Sequence, residues 1–316
     1  MSVLGREMPA ERPIADDRSV PDEPAISDQQ PIPDARPVPT ARVIPATRAI
    51  PRSPRAAAWI GFRGFIARDL TVLDSNLQRF VPSAVMQPLL LMFVFTYLFP
   101  AIGMTVGGNA GGQRFSTTLL PGVLAQSVMF VGIFSVGMNL IMELDADELE
   151  DRVLAPVPIA TVAFAKVVSG ALQALVAALV VFPIAAFLPS TGIYLFADWP
   201  VLLTMLPLAC VTAASLGLAL GVVFDPRSGP WLFSVVALPL AFFGAVFYTW
   251  DSLAPVPVIH YAVLANPLVY MSEGLRAATV TGIPHMPLLA VYGALAGFAI
   301  LFTTIGVRGF HRRVLN

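Results

Sequence analysis

The stretch VVSGALQALVAALVVFPIAAF (residues 167–187) decides the fold class, because it contains no charged residue. It exceeds the roughly 20 residues that an α-helix needs to cross a hydrocarbon core about 30 Å thick. The composition of the whole chain agrees: 56% of its 316 residues are hydrophobic and 12% are charged. Soluble domains are about 25% charged. The sequence therefore predicts an all-α integral membrane protein.

Six further uncharged runs reach the same length, but the run at 252–272 contains three prolines, which leaves five candidates for spans. Together with the first stretch they predict six transmembrane helices, at about 82–103, 119–142, 163–187, 200–224, 231–250 and 287–307. In this arrangement most arginines outside the spans fall on one side of the membrane. The positive-inside rule then places both termini, including residues 308–316, in the cytoplasm.

Three segments outside the spans have compositions of their own. Residues 1–54 are rich in proline, arginine and acidic residues and have no apolar stretch, so we predict a disordered cytoplasmic tail. Residues 56–79 carry apolar residues at spacings of three and four. They predict an amphipathic helix in the membrane interface, with a soluble amphipathic helix as the alternative. Residues 252–278 contain three prolines and predict a re-entrant segment before the last span rather than a seventh span.

Several kinds of chemistry lack the residues that they require. The one lysine, Lys166, is followed by Val167, so there is no P-loop and the chain should hydrolyse no nucleotide. The three histidines are scattered, and we expect this chain to bind no cofactor or metal. A net charge of −1 indicates no nucleic-acid partner. The centres of the predicted spans carry no ionisable residue, which disfavours ion-coupled transport.

Residues 143–162 form a segment between two predicted spans that we call the acidic loop. Six carboxylates occur within residues 143–151, and Pro156 and Pro158 follow them. The pattern favours a short helix over 145–154 in water, because each charge at the bilayer centre would cost roughly 2.5–3.5 kcal/mol. Such a helix could transmit the movement of a docked partner into both neighbouring spans. The alternative is a solvated loop that only sets the topology.

Three stretches resemble the ABC-2 family of exporter permeases. They are LPGVLAQSVMF (120–130), EDRVLAPVPIATVAFAKV (150–167) and GAVFYTWDSLAPVPVIHYAVLANPLVYMSEGLRAA (244–278), and the similarity extends over a transmembrane domain at about 55–310. The resemblance implies a permease subunit in the bacterial cytoplasmic (inner) membrane. It would pair with a second permease chain, as a homodimer, and with two copies of a separate ABC ATPase that uses ATP and Mg. The expected activity is export of an amphiphilic or hydrophobic compound such as a drug, an antibiotic, a lipid or a glycolipid.

The resemblance also assigns roles to residues. The acidic loop would be the coupling element on which the ATPase docks, through Asp147, Glu148, Leu149, Glu150, Asp151, Val153, Leu154, Pro156 and Pro158. Many family members carry Arg or Lys and a Gly where this chain has Asp147 and Glu148. We therefore expect a basic docking cleft on the ATPase, because opposed charges steer association.

The re-entrant segment and the aromatic residues give two further sets of candidates. Asn266, Pro267, Glu273 and Arg276 would form either an external gate, stabilised by a Glu273–Arg276 pair at i, i+3, or a cap that seals the outer leaflet. The path could be lined by aromatic side chains, which could equally face lipid or the core: Phe93, Phe95, Tyr97, Phe242, Phe243 and Phe247.

Two other function classes stay open from the sequence. An ion-coupled secondary carrier would need a functional charge within a span. A membrane-embedded, lipid-modifying enzyme would need a polar catalytic cluster at one interface, for which the acids at 143–151 are the one candidate.

Overall fold

The computed structural model describes residues 54–102, 108–145, 158–187, 195–224 and 229–315. Within these ranges the chain is helical, and extended backbone pairs only at the isolated antiparallel bridge between Leu195 and Val280. The prediction of an all-α protein is confirmed for this part of the chain. The predicted N-terminal tail lies outside it.

Ten helices are present in the described ranges. Their bounds are α1 Pro54–Phe93, α2 Phe99–Ala101, α3 Gly108–Ile133, α4 Asn139–Asp145, α5 Ile159–Phe187, α6 Trp199–Val223, α7 Gly229–Phe242, α8 Pro257–Ala262, α9 Pro267–Thr279 and α10 Leu288–Leu315. Two π-helical turns, Val94–Leu98 and Phe134–Met138, join α1 to α2 and α3 to α4. Short 3₁₀ turns at Trp250–Leu253 and Val263–Ala265 flank α8.

Within the described ranges, four helical segments are long and apolar enough to cross a membrane. They are Phe115–Glu143, Ala160–Phe187, Trp199–Val223 and Leu288–Arg312, and they match four of the six predicted spans. The segment Met86–Leu98 is a shorter apolar helix inside the first predicted span. The count of six transmembrane helices therefore stays a prediction.

Helix α1 differs from the expected arrangement of two separate elements. It runs for 40 residues without interruption, so no break separates the predicted interfacial helix (56–79) from the first span. At 1.5 Å per residue it is about 60 Å long, roughly twice the thickness of the hydrocarbon core. One helix of this length can serve both segments, and an interfacial location of its first half stays a prediction.

The predicted fifth span, 231–250, extends beyond the C-terminal end of the helix in the structure. Helix α7 has 14 residues, about 21 Å, and ends at Phe242. The next residues turn, and Ala245 has a positive φ of 53°. The reason is tertiary, because side chains of α9 bind the carbonyl oxygens of Gly244 and Ala245 that a longer helix would use for its own hydrogen bonds.

The segment predicted to be re-entrant, 252–278, is divided into short pieces. A 3₁₀ turn, α8, a second 3₁₀ turn and α9 follow one another between Trp250 and Thr279. Prolines stand at the first positions of α8 and α9, where a missing N–H costs little. The segment is too broken to cross a bilayer as one helix, and its location in the membrane stays a prediction.

Helix α6 lies at the centre of the bundle, in contact with α3, α5, α9 and α10. Its face toward α3 includes Gly217, where a Cβ atom would lie 2.8 Å from the carbonyl oxygen of Ile133. The two backbones therefore approach each other as small residues allow in membrane helices. Helix α7, in contrast, exposes Val235, Leu238 and Phe242 at the edge of the described bundle.

Candidate functional site

Asn266 connects the start of α9 to the end of α7. Its Oδ1 accepts a hydrogen bond from the backbone N–H of Leu268 (2.9 Å), which makes it the N-cap of α9. Its Nδ2 donates to the carbonyl oxygen of Leu240 (2.8 Å), a group that the helix end leaves without a helical partner. Pro267 follows at the first helical position and is buried. Both predicted residues thus help to fix the direction in which α9 leaves α7.

Glu273 and Arg276 form an ion pair inside the protein. Arg276 Nη1 lies 2.6 Å from Glu273 Oε1, and the two side chains are 0% and 1% exposed. The spacing of three residues places both on one face of α9. Removing two charges from water is costly, and the remaining donors and acceptors of such a pair must be satisfied by other groups.

Arg276 reaches two other segments through Nη2. This nitrogen donates to the carbonyl oxygens of Ala245 (3.0 Å) and Tyr248 (3.3 Å), and at longer range to that of Thr118 (3.4 Å) in α3. Burial lowers the pKa of Arg276 from its ordinary value, and the charge of Glu273 opposes this shift. One guanidinium therefore holds the turn after α7 against α9 and α3.

Glu273 fixes two backbone segments in turn. Its Oε1 accepts a hydrogen bond from the N–H of Trp250 (2.9 Å), and its Oε2 accepts one from the N–H of Met286 (3.0 Å). The Trp250 ring stacks on His260 at 4.0 Å and donates to the His260 carbonyl oxygen (2.9 Å). We call Glu273, Arg276 and the backbone groups that they bind the buried network. It ties α9 to the segments before and after it.

The predicted aromatic residues separate into two groups. Phe247 lies between Phe95 and Phe242, with ring centroids 5.6 and 6.3 Å apart. Phe93 and Tyr97 stack on each other at 5.2 Å and are exposed. The structure therefore does not bring all six together. Phe243 lines two apolar cavities, of about 510 and 690 Å³, between α7 and the segment around α8.

The acidic loop lies mostly outside the described residues. This applies to Asp147, Glu148, Leu149, Glu150, Asp151, Val153, Leu154 and Pro156, whereas Pro158 is exposed just before α5. The structure does describe the two ends of the loop, at the end of α4 and the start of α5. There Lys166 Nζ of α5 lies 2.5 Å from Glu143 Oε2 of α4, and the side chains are 12% and 15% exposed. We call this contact the loop-base pair, since it joins the two helices between which the loop runs.

A polar cavity of about 430 Å³ lies between α1, α3 and α5. Its lining includes polar side chains from these three helices, from the π turn and from the start of α4: Gln87, Gln126, Ser127, Ser135, Asn139 and Gln173. Gln126 and Ser127 are buried at its floor, whereas Gln87 and Asn139 are exposed at its rim. Within the described ranges, no group of three or more His, Cys, Asp or Glu residues is placed to hold a metal ion.

The arrangement of apolar helices around a buried network and a charged loop can be compared with known families. A sequence model described as "ABC-2 type transporter" matches residues 69–280, about two thirds of the chain. The chain belongs to the ABC-2 type transporter family. The resemblance seen in the sequence is thereby confirmed.

Among individual relatives of this ABC-2 chain are proteins named "Inner membrane transport permease YadH". The relatives from Escherichia coli (strain K12) and Shigella flexneri are 25% identical to the chain over 255 residues, which cover 78% of the chain and 93% of the relative. The family match spans the loop-base pair, the polar cavity and the buried network apart from the Met286 N–H. All three features therefore lie in the transporter domain.

Two of these three features escaped the sequence reasoning. Glu143 is one of six acids in the loop and Lys166 lies beyond the loop's C-terminal end, so the sequence does not single out a pair between them. Opposite charges on the two sides of one loop were the available signal. The polar cavity cannot be predicted from ionisable residues, because its polar lining consists of amides and hydroxyl groups. Ser127, Ser135 and Asn139 recur at multiples of four, which places them on one helical face.

Proposed function

We propose that this chain is the membrane permease subunit of an ATP-driven exporter in the inner membrane of a bacterium. Two permease chains and two copies of a separate ABC ATPase make up the working complex. The ATPase hydrolyses ATP with Mg, and this chain contains the path. Both termini lie in the cytoplasm, on the side of the acidic loop. The cargo is an amphiphilic or hydrophobic compound, taken from the cytoplasm or the inner leaflet.

The loop-base pair is the observation that carries this proposal. A force applied to the acidic loop reaches α4 and α5 at its two ends, and the pair between Glu143 and Lys166 makes those ends move together. Helix α5 is itself a candidate span, and α4 continues the span that begins in α3. A docked ATPase could therefore displace two membrane helices as a unit. The carboxylates of the loop would face a basic cleft on that ATPase.

The buried network has a different part in the proposed mechanism. Its hydrogen bonds hold α9 and the adjoining turns as one body, so the external end of the path opens by movement of this body as a whole. Asn266 and Pro267 set its direction at the junction with α7. The cluster of Phe95, Phe242 and Phe247 lies beside the turn at 243–248 and gives the cargo an apolar surface.

Reconstitution with and without the ATPase tests the proposal. The chain is purified with the ATPase that co-purifies with it and placed in proteoliposomes, with a panel of labelled lipids and drugs as cargo. We expect uphill transport that requires ATP and that stops when the P-loop lysine of the ATPase is replaced. A protonophore should leave the transport unchanged. The chain alone should transport nothing uphill.

The same assay distinguishes an ATP-driven exporter from an ion-coupled carrier. Transport by the chain alone, driven by an ion gradient and abolished by a protonophore, would show an ion-coupled carrier and refute the proposal. The cargo panel also reports on the compound class, because stimulation of the ATPase by a compound identifies it as a ligand of the complex.

A further inference from the structure

The polar cavity contains amide groups that lack partners in the protein. In the part of the chain that the structure describes, the side chains of Gln87, Gln126 and Gln173 show no hydrogen bond to another residue, and their amides border the cavity rather than a closed interior. Gln126 is 7% exposed and belongs to a segment able to cross a membrane. The bilayer core offers no hydrogen-bonding partner, so an amide that is unbonded at that depth is costly. Water or a bound ligand must therefore satisfy these groups.

The neighbouring side chains explain why the protein itself does not satisfy them. The Ser127 hydroxyl donates to the Val123 carbonyl oxygen (2.7 Å), and the Asn139 amide donates to the Ser135 carbonyl oxygen (2.7 Å). The short polar side chains thus bond to their own helix, which leaves the longer glutamine side chains directed to other partners.

The backbone beside the cavity is irregular at the same place. Phe134 and Ser135 line the cavity and belong to the π turn Phe134–Met138. Single π turns within α-helices occur frequently at functional sites, because they change the direction of the side chains on one face. The turn lies between Ser127 and Asn139, two polar residues that line the cavity.

The charge of the lining selects the class of ligand. None of the described residues that line the cavity is charged. A cationic ligand would find no carboxylate here, and an anionic ligand would find no arginine or lysine. Amides both donate and accept hydrogen bonds, as hydroxyl groups do. The remaining lining is apolar and aromatic, from Leu91, Phe130 and Phe134 among others, and suits a hydrocarbon chain.

We propose that the polar cavity binds the uncharged, hydroxyl-rich headgroup of an amphiphile. The glutamine amides exchange hydrogen bonds with the hydroxyl groups, and the apolar lining holds the first part of the hydrocarbon chain. A volume of about 430 Å³ lies in the range of small-molecule sites. The inference rests on the proposed function, since it names the class of cargo that the exporter takes.

Photo-crosslinking to matched amphiphiles tests the proposal without any need for transport. Three probes share a dodecyl chain that carries a photoreactive group and differ only in the headgroup: maltoside, trimethylammonium and sulfate. The full-length chain is placed in lipid nanodiscs without its ATPase, and labelled peptides are identified by mass spectrometry. We expect the maltoside probe to label peptides of the cavity. Unlabelled maltoside should compete at least about tenfold better than either charged amphiphile.

Substitutions of the glutamines give the second part of the test. Gln126→Leu and Gln173→Leu should each weaken maltoside competition by about tenfold, as expected for the loss of hydrogen bonds to one amide. Thr304→Val is the matched control, because it removes a polar group from α10 outside the cavity and should change nothing. Gln126→Glu should shift the preference to the trimethylammonium probe. Gln173 is half-buried and provides a second position if Gln126→Leu does not fold.

The outcomes separate this proposal from the proposed function. Equal labelling by all three probes, labelling outside the cavity, or maltoside competition unchanged in both glutamine variants would overturn the assignment, even if ATP-driven export is observed. Selective maltoside labelling that disappears in those variants would support it, even if the chain fails to transport with an ATPase.

Discussion

Two of the ion pairs in the described part of this permease, Glu273–Arg276 and Glu143–Lys166, differ in burial and in what they connect. Glu273 and Arg276 lie three residues apart on one helix and are 1% and 0% exposed. Glu143 and Lys166 lie 23 residues apart on two helices and retain 15% and 12% of their side-chain exposure. The first pair also binds the backbone of the turn after α7 and of Trp250 and Met286. The second bridges the base of the acidic loop.

This difference indicates different functions. The Nη atoms of Arg276 and both carboxylate oxygens of Glu273 are bound by surrounding groups, whereas Arg276 Nε is buried without a partner. Movement of this pair would break several of those bonds in the protein interior, so the pair stabilises one conformation. A pair that bridges two helices and stays partly exposed can remain in contact with water while the helices shift. The buried network is therefore suited to structural support, and the loop-base pair is suited to the transmission of movement. Substitutions at the two pairs should consequently affect different measurements.

The largest effect should come from Arg276→Met. The substitution leaves Glu273 charged and unpaired in the protein interior and removes the donor to the Ala245 carbonyl oxygen. Breaking a buried pair in this way costs about 3–5 kcal/mol. We expect a large fall in the thermal transition temperature of the purified protein and in its yield, whether or not an ATPase is present.

Two further variants sharpen this result. Arg276→Lys should not restore stability, because an ammonium group lacks the planar fork that reaches both Glu273 and the carbonyl oxygens. Arg308→Met is the control, since Arg308 is exposed on α10. A transition temperature that is unchanged in Arg276→Met would show that the buried network does not support the fold.

The second prediction concerns coupling at the loop-base pair. Glu143→Gln or Lys166→Met removes the link between the ends of α4 and α5, so the ATPase can act on the loop without moving both spans. We expect ATP hydrolysis to continue while the amount of cargo moved per ATP falls by about tenfold, equivalent to about 1.4 kcal/mol of lost coupling. Transport and hydrolysis are measured on the same proteoliposomes.

Exchange of the two charges tests whether the single variants lose coupling merely because the protein is misfolded. The double variant Glu143→Lys with Lys166→Glu should recover most of the coupling, because the pair can form again. Asp69→Asn, which removes the exposed contact between Arg68 and Asp69, should leave coupling unchanged. If hydrolysis and transport decline together in the single variants and the exchange restores neither, the pair does not transmit movement.

A smaller effect is expected at the junction of α7 and α9. Asn266→Ala removes the N-cap of α9 and the hydrogen bond to Leu240, at a cost of about 1 kcal/mol. Asp198→Ala removes only the N-cap of α6, whose hydrogen bond to the Val201 N–H is longer at 3.3 Å. The fall in transition temperature should thus be greater for Asn266→Ala. Equal falls would mean that the contact with Leu240 contributes nothing.

The sequence predicts this fold well where helices are held by apolar side chains alone. Four predicted spans have counterparts that could cross a membrane, because hydropathy and length report directly on transfer from water to lipid. The same pattern extends the fifth span too far, since residues 243–249 are apolar enough for a helix. Their backbone conformation depends on Ser272 and Arg276, which are distant in sequence. Hydropathy holds no information about such contacts.

The candidate sites also differ in whether they depend on residues that are close in sequence or on contacts between distant helices. The spacing of Glu273 and Arg276 is local, so the sequence suggested their pairing. The loop-base pair and the polar cavity each require helices to be packed side by side before their residues meet. The cavity joins Gln87, Gln126 and Gln173 from three helices, and no single helix carries enough of it to be recognised.

The smallest predicted effect concerns the docking charges of the acidic loop. Asp147→Lys combined with Glu148→Lys reverses two charges that we expect to face a basic cleft on the ATPase. Exposed ion pairs contribute about 0.2–1 kcal/mol each, so loss of both should weaken assembly only a few-fold, and more at low salt than at high salt. Co-purification of the ATPase at two salt concentrations measures the effect.

The loop-base variants serve as the comparison, because they should reduce coupling at unchanged assembly, whereas charge reversal should reduce assembly at unchanged coupling. We expect the loop charges to contact the ATPase directly, so a charge reversal that lowered coupling without lowering assembly would place the transmission of movement in the loop itself.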